Sequence, residues 1–406
     1  MATVAIVGTL DTKGKEIDFC RRLFQQNGAD TLVIHAGTYP ATVPVDIDCA
    51  DVADAAGVEL GDLSTDRGLS MATMSRGVAE IVRTLYSDGK IDGVFSLGGS
   101  GGTALATAGM RELPVGVPKV MVSTMAGGQV SQYVGTSDIV MFPSIVDVQG
   151  LNSILRTVLR NAVHAMVGML QNSNVEEEAG RPHIAASMFG VTTPCVSRAQ
   201  QYLEDRGYEV VVFHATGAGG RTMEKLIRDG YFVGVLDLTA TEWCDELFGG
   251  ILSAGPQRHE AAIDSGTPQV VSVGALDMVN FGSPDSVPSR YSGRNFYPHN
   301  PQVTLMRTTA EENRELGAKL AEKLNRATEP IELLLPLRGV SAIDVEGAPF
   351  FDPDADAALF SSLKESLTNS NVSIRELDTD INDPTFADAA AEALITLMEN
   401  RKEKTQ

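Results

Sequence analysis

Short apolar runs alternate along this chain with longer stretches in which apolar residues recur every three or four positions. Val4-Ala-Ile-Val-Gly8 reads as a strand ending in a turn. Lys13 to Gln26 reads as an amphipathic helix, with Ile17, Cys20, Leu23 and Phe24 near one face. Asp30 to His35 is the next strand. A helix carrying Val78, Ile81, Val82 and Leu85 leads into a strand over Ile91–Leu97, and Val117 to Ser123 supplies another. The second half repeats the pattern. His183 to Gly190 is a strand, Cys195 to Arg206 a helix and Tyr208 to His214 a strand. A helix with Met223, Leu226 and Ile227 then precedes strands over Tyr231–Leu238 and Thr267–Val273.

Strands alternating with helices of this length imply parallel sheets with helices on both faces. The near-continuous Val/Ile/Leu runs suit strands buried on both sides. The expected fold is therefore α/β, with two doubly wound, mostly parallel-sheet, Rossmann-like domains related by apparent duplication and a ligand cleft between them. Right-handed crossovers put every strand-to-helix loop on one edge, the carboxyl edge where such sheets bind ligands. The polar, acidic stretch from Asn172 to Pro182 marks a boundary, giving an N-terminal nucleotide-binding domain over 1–178 and a C-terminal domain over 179–406. Gln149 to Leu170 reads as a long core or dimer helix. Toward the end come a strand Ile331–Pro336, a helix near Ala355–Leu367, a strand Val372–Leu377, a helix Phe386–Glu399 and a frayed Arg401–Gln406.

Charge narrows the partners. With 53 acidic and 32 basic residues the net charge is −21, which repels nucleic acid and anionic membranes but not a small anion held by local amides. The four cysteines show no CxxC spacing, and there is neither a secretory leader pattern nor an apolar run of about 20 residues. The expected setting is the cytoplasm, with no nucleic acid and no membrane partner.

The candidate chemistry sits in glycine-rich loops. After the strand ending at Leu97 come Gly98, Gly99, Ser100, Gly101, Gly102 and Thr103, then a helix start at Ala104. Strand, glycine loop and helix present bare N–H groups to a phosphate or carboxylate. A tight turn alone would need one or two glycines, not four. Gly99-x-Gly101-x-x-Ala104 nominally fits a dinucleotide fingerprint, but it follows the third strand of its half and lacks the ribose-binding acid near Ser123-Thr124, so NAD is rejected. Gly8-Thr-Leu-Asp-Thr-Lys-Gly14 offers Thr9, Lys13 as a point charge for phosphate, and Asp11 for Mg²⁺ through water; plain capping by Thr12 is the alternative. It is not a P-loop, because Glu16 follows Lys15 where Ser or Thr belongs. Thr124, Ala126, Gly127 and Gly128 form a third small-residue loop.

In the second half, Gly219, Gly220 and Arg221 open a helix and make a second anion candidate. Glu242 is either a general base or a cap. Ser289 to Pro301 reads as a long aromatic-rich loop holding Arg290, Arg294, Tyr297, His299 and Asn300, with His299 the best acid–base candidate by residue type.

Together, Gly8–Gly14, Ser96–Thr103, Asp237-Leu-Thr-Ala-Thr-Glu242 and Phe296-Tyr-Pro-His-Asn-Pro301 resemble the ATP-binding domain family named after a plant tomato mosaic virus resistance protein, an uncharacterised protein family in bacteria. The resemblance runs along nearly the full length. It implies two α/β subdomains, ATP as ligand and a homodimer. The plant member's additional barrel-like domain has no counterpart here, so its antiviral role does not carry over. The expectation is an ATP/Mg²⁺-dependent enzyme, a transferase or ligase acting on a small anionic metabolite. Thr9, Asp11, Lys13, Gly98–Thr103 and Thr124–Gly128 would cradle the nucleotide. Arg221, Glu242, Arg294, His299 and Asn300 would face the cosubstrate. The alternative is a non-catalytic ATP-dependent module whose closed or dimeric state a partner protein reads.

Overall fold

The computed structural model describes residues 1–63, 66–172 and 180–405. The chain divides into two compact units, Met1–Glu178 and Ala179–Gln406. Most of the expected connecting stretch, 173–179, lies outside the described residues.

Unit 1 contains β1 (Thr3–Gly8), α1 (Leu10–Gln26), β2 (Asp30–His35), α2 (Cys49–Ala55), α3 (Arg67–Ser87), β3 (Gly93–Gly98), α4 (Ser100–Arg111), β4 (Lys119–Ser123), α5 (Ser131–Val134), β5 (Val140–Pro143) and α6 (Ser153–Asn172). All its strands are parallel, in the order β2-β1-β3-β4-β5. Alternate residues of one strand feed opposite faces, as the pleat requires. Val4 and Ile6 join Phe24 of α1 and Leu159 of α6 in one core, while Ala5 and Val7 join Val78 of α3 and Met110 of α4 in another.

Unit 2 contains β6 (His183–Met188), α7 (Thr193–Glu204), β7 (Glu209–His214), α8 (Ala218–Arg228), β8 (Gly234–Thr239), α9 (Glu242–Phe248), α10 (Ala261–Ser265), β9 (Gln269–Gly274), β10 (Met278–Phe281), β11 (Phe296–Asn300), β12 (Val303–Arg307), α11 (Ala310–Leu324), β13 (Ile331–Pro336), α12 (Pro353–Ser366), β14 (Val372–Leu377) and α13 (Pro384–Thr405). Its parallel sheet runs β7-β6-β8-β9-β13-β14. The first five strands repeat the order of unit 1, and β14 adds a sixth. Both units are thus doubly wound, Rossmann-like α/β folds.

Three expectations need correction. The Ser289–Pro301 segment is not a plain loop: β11 pairs with β12, and β12 with β10, in a small antiparallel sheet inserted between β9 and β13. Helices also begin earlier than read. α1 starts at Leu10, with a kink at Lys13 (φ −118°, ψ 18°), and α4 starts at Ser100, leaving Gly99 as the junction. The final helix continues through Thr405 rather than fraying after Glu399, and Gln406 lies outside the described residues.

Gly77 of α3 packs on the backbone of α2, where a Cβ would come 1.9 Å from the Val52 carbonyl oxygen. Gly77→Ala must therefore push the two helices apart. It should destabilise unit 1 by about 1–3 kcal/mol, read as a lower urea midpoint with little change in m-value.

Candidate functional site

β1 pairs with β2 on one side and β3 on the other, and the connections leave in opposite directions. The carboxyl ends of β1 and β3 therefore flank the crevice where doubly wound sheets hold ligands. Thr9, Asp11 and Lys13 leave one side of this point, and Gly98 to Thr103 the other. His35, at the end of β2, ties the first side down. Its Nδ1 accepts from the Leu10 N–H at 3.0 Å and the Gly37 N–H at 3.3 Å. The proton must then sit on Nε2, which donates to the Tyr39 carbonyl at 2.7 Å. The ring is thus a fixed neutral acceptor capping α1, a structural post rather than a ligand-facing base.

Asp11 packs over Gly37, where a Cβ would lie 2.6 Å from its Oδ2. Its Oδ1 is buried without a hydrogen-bond partner among the described residues. Thr9 and Thr12 place their hydroxyls 3.1 Å apart, and Thr12 donates to the Thr9 carbonyl instead of capping the helix. Lys13 is half-buried.

On the other side, α4 has Gly99 at its N-cap and no side-chain cap. The exposed Ser100 and half-exposed Gly101 and Gly102 form its first turn. Thr103 donates to the Gly99 carbonyl at 2.8 Å, so Ser123 donates to Thr103 across 2.7 Å and accepts from the Met125 N–H at 2.9 Å. This chain locks the ends of β3 and β4 together. In the third loop the amides of Thr124, Ala126 and Gly128 already bond to carbonyls.

Gly99 and Gly102 of this turn have no structural reason to be glycine, whereas Gly98 and Gly101 are more tightly placed. None of Gly98, Gly99, Gly101 and Gly102 has positive φ. A Cβ on Gly99 or Gly102 would sit in ordinary contact, at 3.8 Å from Thr124 Oγ1 and 3.7 Å from the Leu97 oxygen. One on Gly101 would meet only the Met71 tip at 3.2 Å, and one on Gly98 the Gly102 Cα at 3.2 Å.

The second glycine loop is the opposite case. Gly217 has φ +79°, and Cβ atoms on Gly219 and Gly220 would lie 1.8 Å from the His214 oxygen and 2.1 Å from Glu242 Oε2. Arg221 donates to the Ser253 carbonyl at 2.7 Å. Glu242, 1% exposed, accepts from the N–H groups of Gly217 and Gly220 at 2.7 and 3.1 Å and from Arg258 Nε at 2.8 Å. Its carboxylate is thus a buried cap with no free edge toward solvent. Arg258, also 1% exposed, bonds both oxygens of Asp237 at 2.5 and 2.6 Å and reaches Glu224 at 3.2 Å. Burial opposes the charge on Asp237, but Arg258 overrides it and holds the carboxyl at about 2. Burial drives the neighbouring His259 ring down to about 3; Asp237 opposes this, while Arg258 and Lys323 reinforce it. Its Nδ1 accepts from Trp243 Nε1 at 2.9 Å. Its Nε2 lies 3.3 Å from Asp237 without hydrogen-bond geometry, so the contact is not an ion pair.

The remaining candidates lie elsewhere in unit 2. Arg294 is paired with Glu312 at 2.6 Å. His299 and Asn300 are exposed on β11, with Asn300 Oδ1 accepting from the Gln302 N–H at 2.8 Å. Sequence reading missed Arg258, His259 and Glu224, which meet only through the fold. It also missed a second buried cluster in which Arg307 serves Asp344 at 3.1 Å and Asp356 at 2.7 Å. There burial, with Asp277 nearby, pushes Asp344 up to about 9. Among the described residues no group of three or more His, Cys, Asp or Glu could hold a metal. No helix among them is long and apolar enough to cross a membrane.

Residues 2–175 match the N-terminal domain, and 181–398 the C-terminal domain, of the uncharacterised protein family UPF0261. A UPF0261 protein of Clostridium tetani is 51% identical over 98% of this chain and 99% of its own length. The ToMV resistance protein Tm-1(GCR237) of Solanum lycopersicum is 43% identical over 83% of this chain, which spans 46% of that protein. Among solved structures, Acinetobacter baumannii MurG aligns over 99% of this chain and 95% of its own at 10% identity, with a TM-score of 0.25.

The neutral His259 gives a pH test. An unfolded histidine takes its proton near 6.5, so the stability lent by keeping this ring neutral is complete above that pH. It is lost as pH falls from about 6.5 toward about 3. The stability gap between wild type and His259→Gln should narrow by up to about 1.4 kcal/mol per pH unit across that window. Urea titrations between neutral and acid pH measure it, and a gap independent of pH would count against a buried neutral ring.

Proposed function

We propose that this chain, which belongs to the UPF0261 family, binds ATP with Mg²⁺ at the carboxyl edge of the unit 1 sheet and uses it on a small anionic metabolite. One observation carries the reading: Gly99 and Gly102 are free of positive φ and of close packing at Cβ, and a Cβ on Gly101 would press only on the flexible Met71 tip, at 3.2 Å. What remains is the use of a bare backbone, which lets phosphate oxygens reach the first-turn N–H groups of α4. Lys13 supplies a point charge from the facing loop, and the Thr9 and Thr12 hydroxyls add donors.

Asp11, with its orphaned Oδ1, fits a Mg²⁺ site of the nucleotide-dependent kind, in which one carboxylate, waters and phosphate oxygens complete the shell. The ion would neutralise charge on the phosphates. The chain's own residues would fix the nucleotide by His35-anchored and Ser123-anchored loops, so that catalysis is positioning and charge neutralisation in phosphoryl transfer or carboxylate activation. The four cysteines are free and buried, which suits action in a reducing cytoplasm.

A non-catalytic reading has its own support. Glu242 and Arg294 are committed to internal pairs, leaving His299 as the exposed acid–base candidate. On that reading ATP binding is a state for a partner protein to read.

Gly101→Ala and Gly102→Ala should leave stability within about 1 kcal/mol of wild type, because alanine favours a helix, while weakening ATP at least about tenfold by calorimetry. Lys13→Ala should weaken ATP as well. Unchanged affinity in all three variants defeats the assignment. Incubation with ATP, Mg²⁺ and pools of small carboxylates or sugars separates the readings: a nucleotide product that depends on one compound supports the enzyme, and retention of unconsumed ATP supports the module.

A further inference from the structure

The same position past the third strand of each unit holds opposite things. Gly101 stands three residues beyond the end of β3 at Gly98, and Glu242 three residues beyond the end of β8 at Thr239. In unit 2 that side chain turns back into the glycine loop opening α8. One carboxylate oxygen takes the Gly217 and Gly220 N–H groups, and the other takes Arg258 Nε–H. All three donors belong to groups buried in the unit, and Gly220 has no Cβ because the carboxylate occupies that space.

We propose that Gly217, Gly220 and Arg258 form a second oxyanion receptor, built for a carboxylate, whose occupant is the chain's own Glu242. The native protein therefore keeps this receptor closed to dissolved anions, and external anions have access only after Glu242 is shortened. The receptor does not depend on what binds in unit 1. Its donors are two amides and one guanidinium N–H converging on one carboxyl-sized space, and the rest of the guanidinium is held by Asp237. Removing the side-chain carboxylate leaves those donors in place and the space vacant, so formate or acetate fits where the side chain was.

Glu242→Ala in the full chain tests this through thermal melting in formate, acetate or phosphate against equal ionic strength of chloride. The variant should melt about 10 °C lower than wild type. Formate or acetate at tens of millimolar should recover a substantial part of that loss, with wild type unmoved. Calorimetric titration with formate should show saturable heat in the variant only. Equal stabilisation of wild type by formate would overturn the proposal, as would a folded variant with an unchanged melting point or one that no oxyanion recovers. Should Glu242→Ala not fold, Glu242→Gln, which keeps an acceptor oxygen for the two amides but loses the charge facing Arg258, should melt below wild type, and a melt equal to wild type overturns the idea. Failure of ATP to bind unit 1 would leave all of these outcomes unchanged.

Discussion

A helix cannot begin without stranding N–H groups that need acceptors. Each unit of this protein meets that constraint at the carboxyl edge of a parallel sheet, and each meets it differently. In unit 2 a carboxylate from the next helix fills the gap, and a fully buried arginine balances it. In unit 1, α1 receives one acceptor from His35, while α4 begins on glycine with no side-chain cap at all. The uncapped turn is open at Ser100, which is exposed. The two solutions share one strand order, so the contrast lies in side chains and not in topology.

Much of that topology was legible beforehand. Runs such as Val4–Gly8 and Val372–Leu377 are buried or bounded clearly enough to fix strands, and their alternation with helices implies parallel pairing. Helix starts were harder. Glycines at 99, 101 and 102 argue against helix by propensity, yet α4 begins at Ser100, because packing of Leu105, Ala106 and Met110 on the sheet outweighs propensity in the first turn. The antiparallel insert escaped for a related reason. β11 contains Pro298 and polar, exposed residues, which suits an edge strand and defeats a hydrophobic-pattern reading.

Site residues divide along the same line. The glycine clusters were visible because composition alone sets them apart, but their two roles were not. Gly219 and Gly220 are glycine because a carbonyl and a carboxylate lie where Cβ would be, which no spacing rule contains. Glu242 looked available because its partner, Arg258, is sixteen residues away and joins it only through the fold. Arg307, Asp344 and Asp356 are scattered more widely still, and they converge where the antiparallel insert meets α12.

Why the proposed anion site of an acidic protein would rest on amides follows from the same electrostatics. A net charge of −21 opposes any polyanion at long range. Amide N–H groups at a helix terminus act only over a few ångströms, so they select for an anion that can be brought into contact rather than steering one from a distance. A free arginine in the crevice would do both, and would also be drawn to the surplus carboxylates of its own chain. Unit 2 shows that outcome: Arg258 is surrounded by Asp237, Glu242 and Glu224 and has no donor left for a visitor. A cradle built from backbone has no such competitor within the chain unless a carboxylate of the right length follows the strand. Asp11, the acid nearest by sequence on the facing loop of unit 1, is packed against Gly37. On the proposed reading, the first turn of α4, which no side chain caps, is left for an outside ligand.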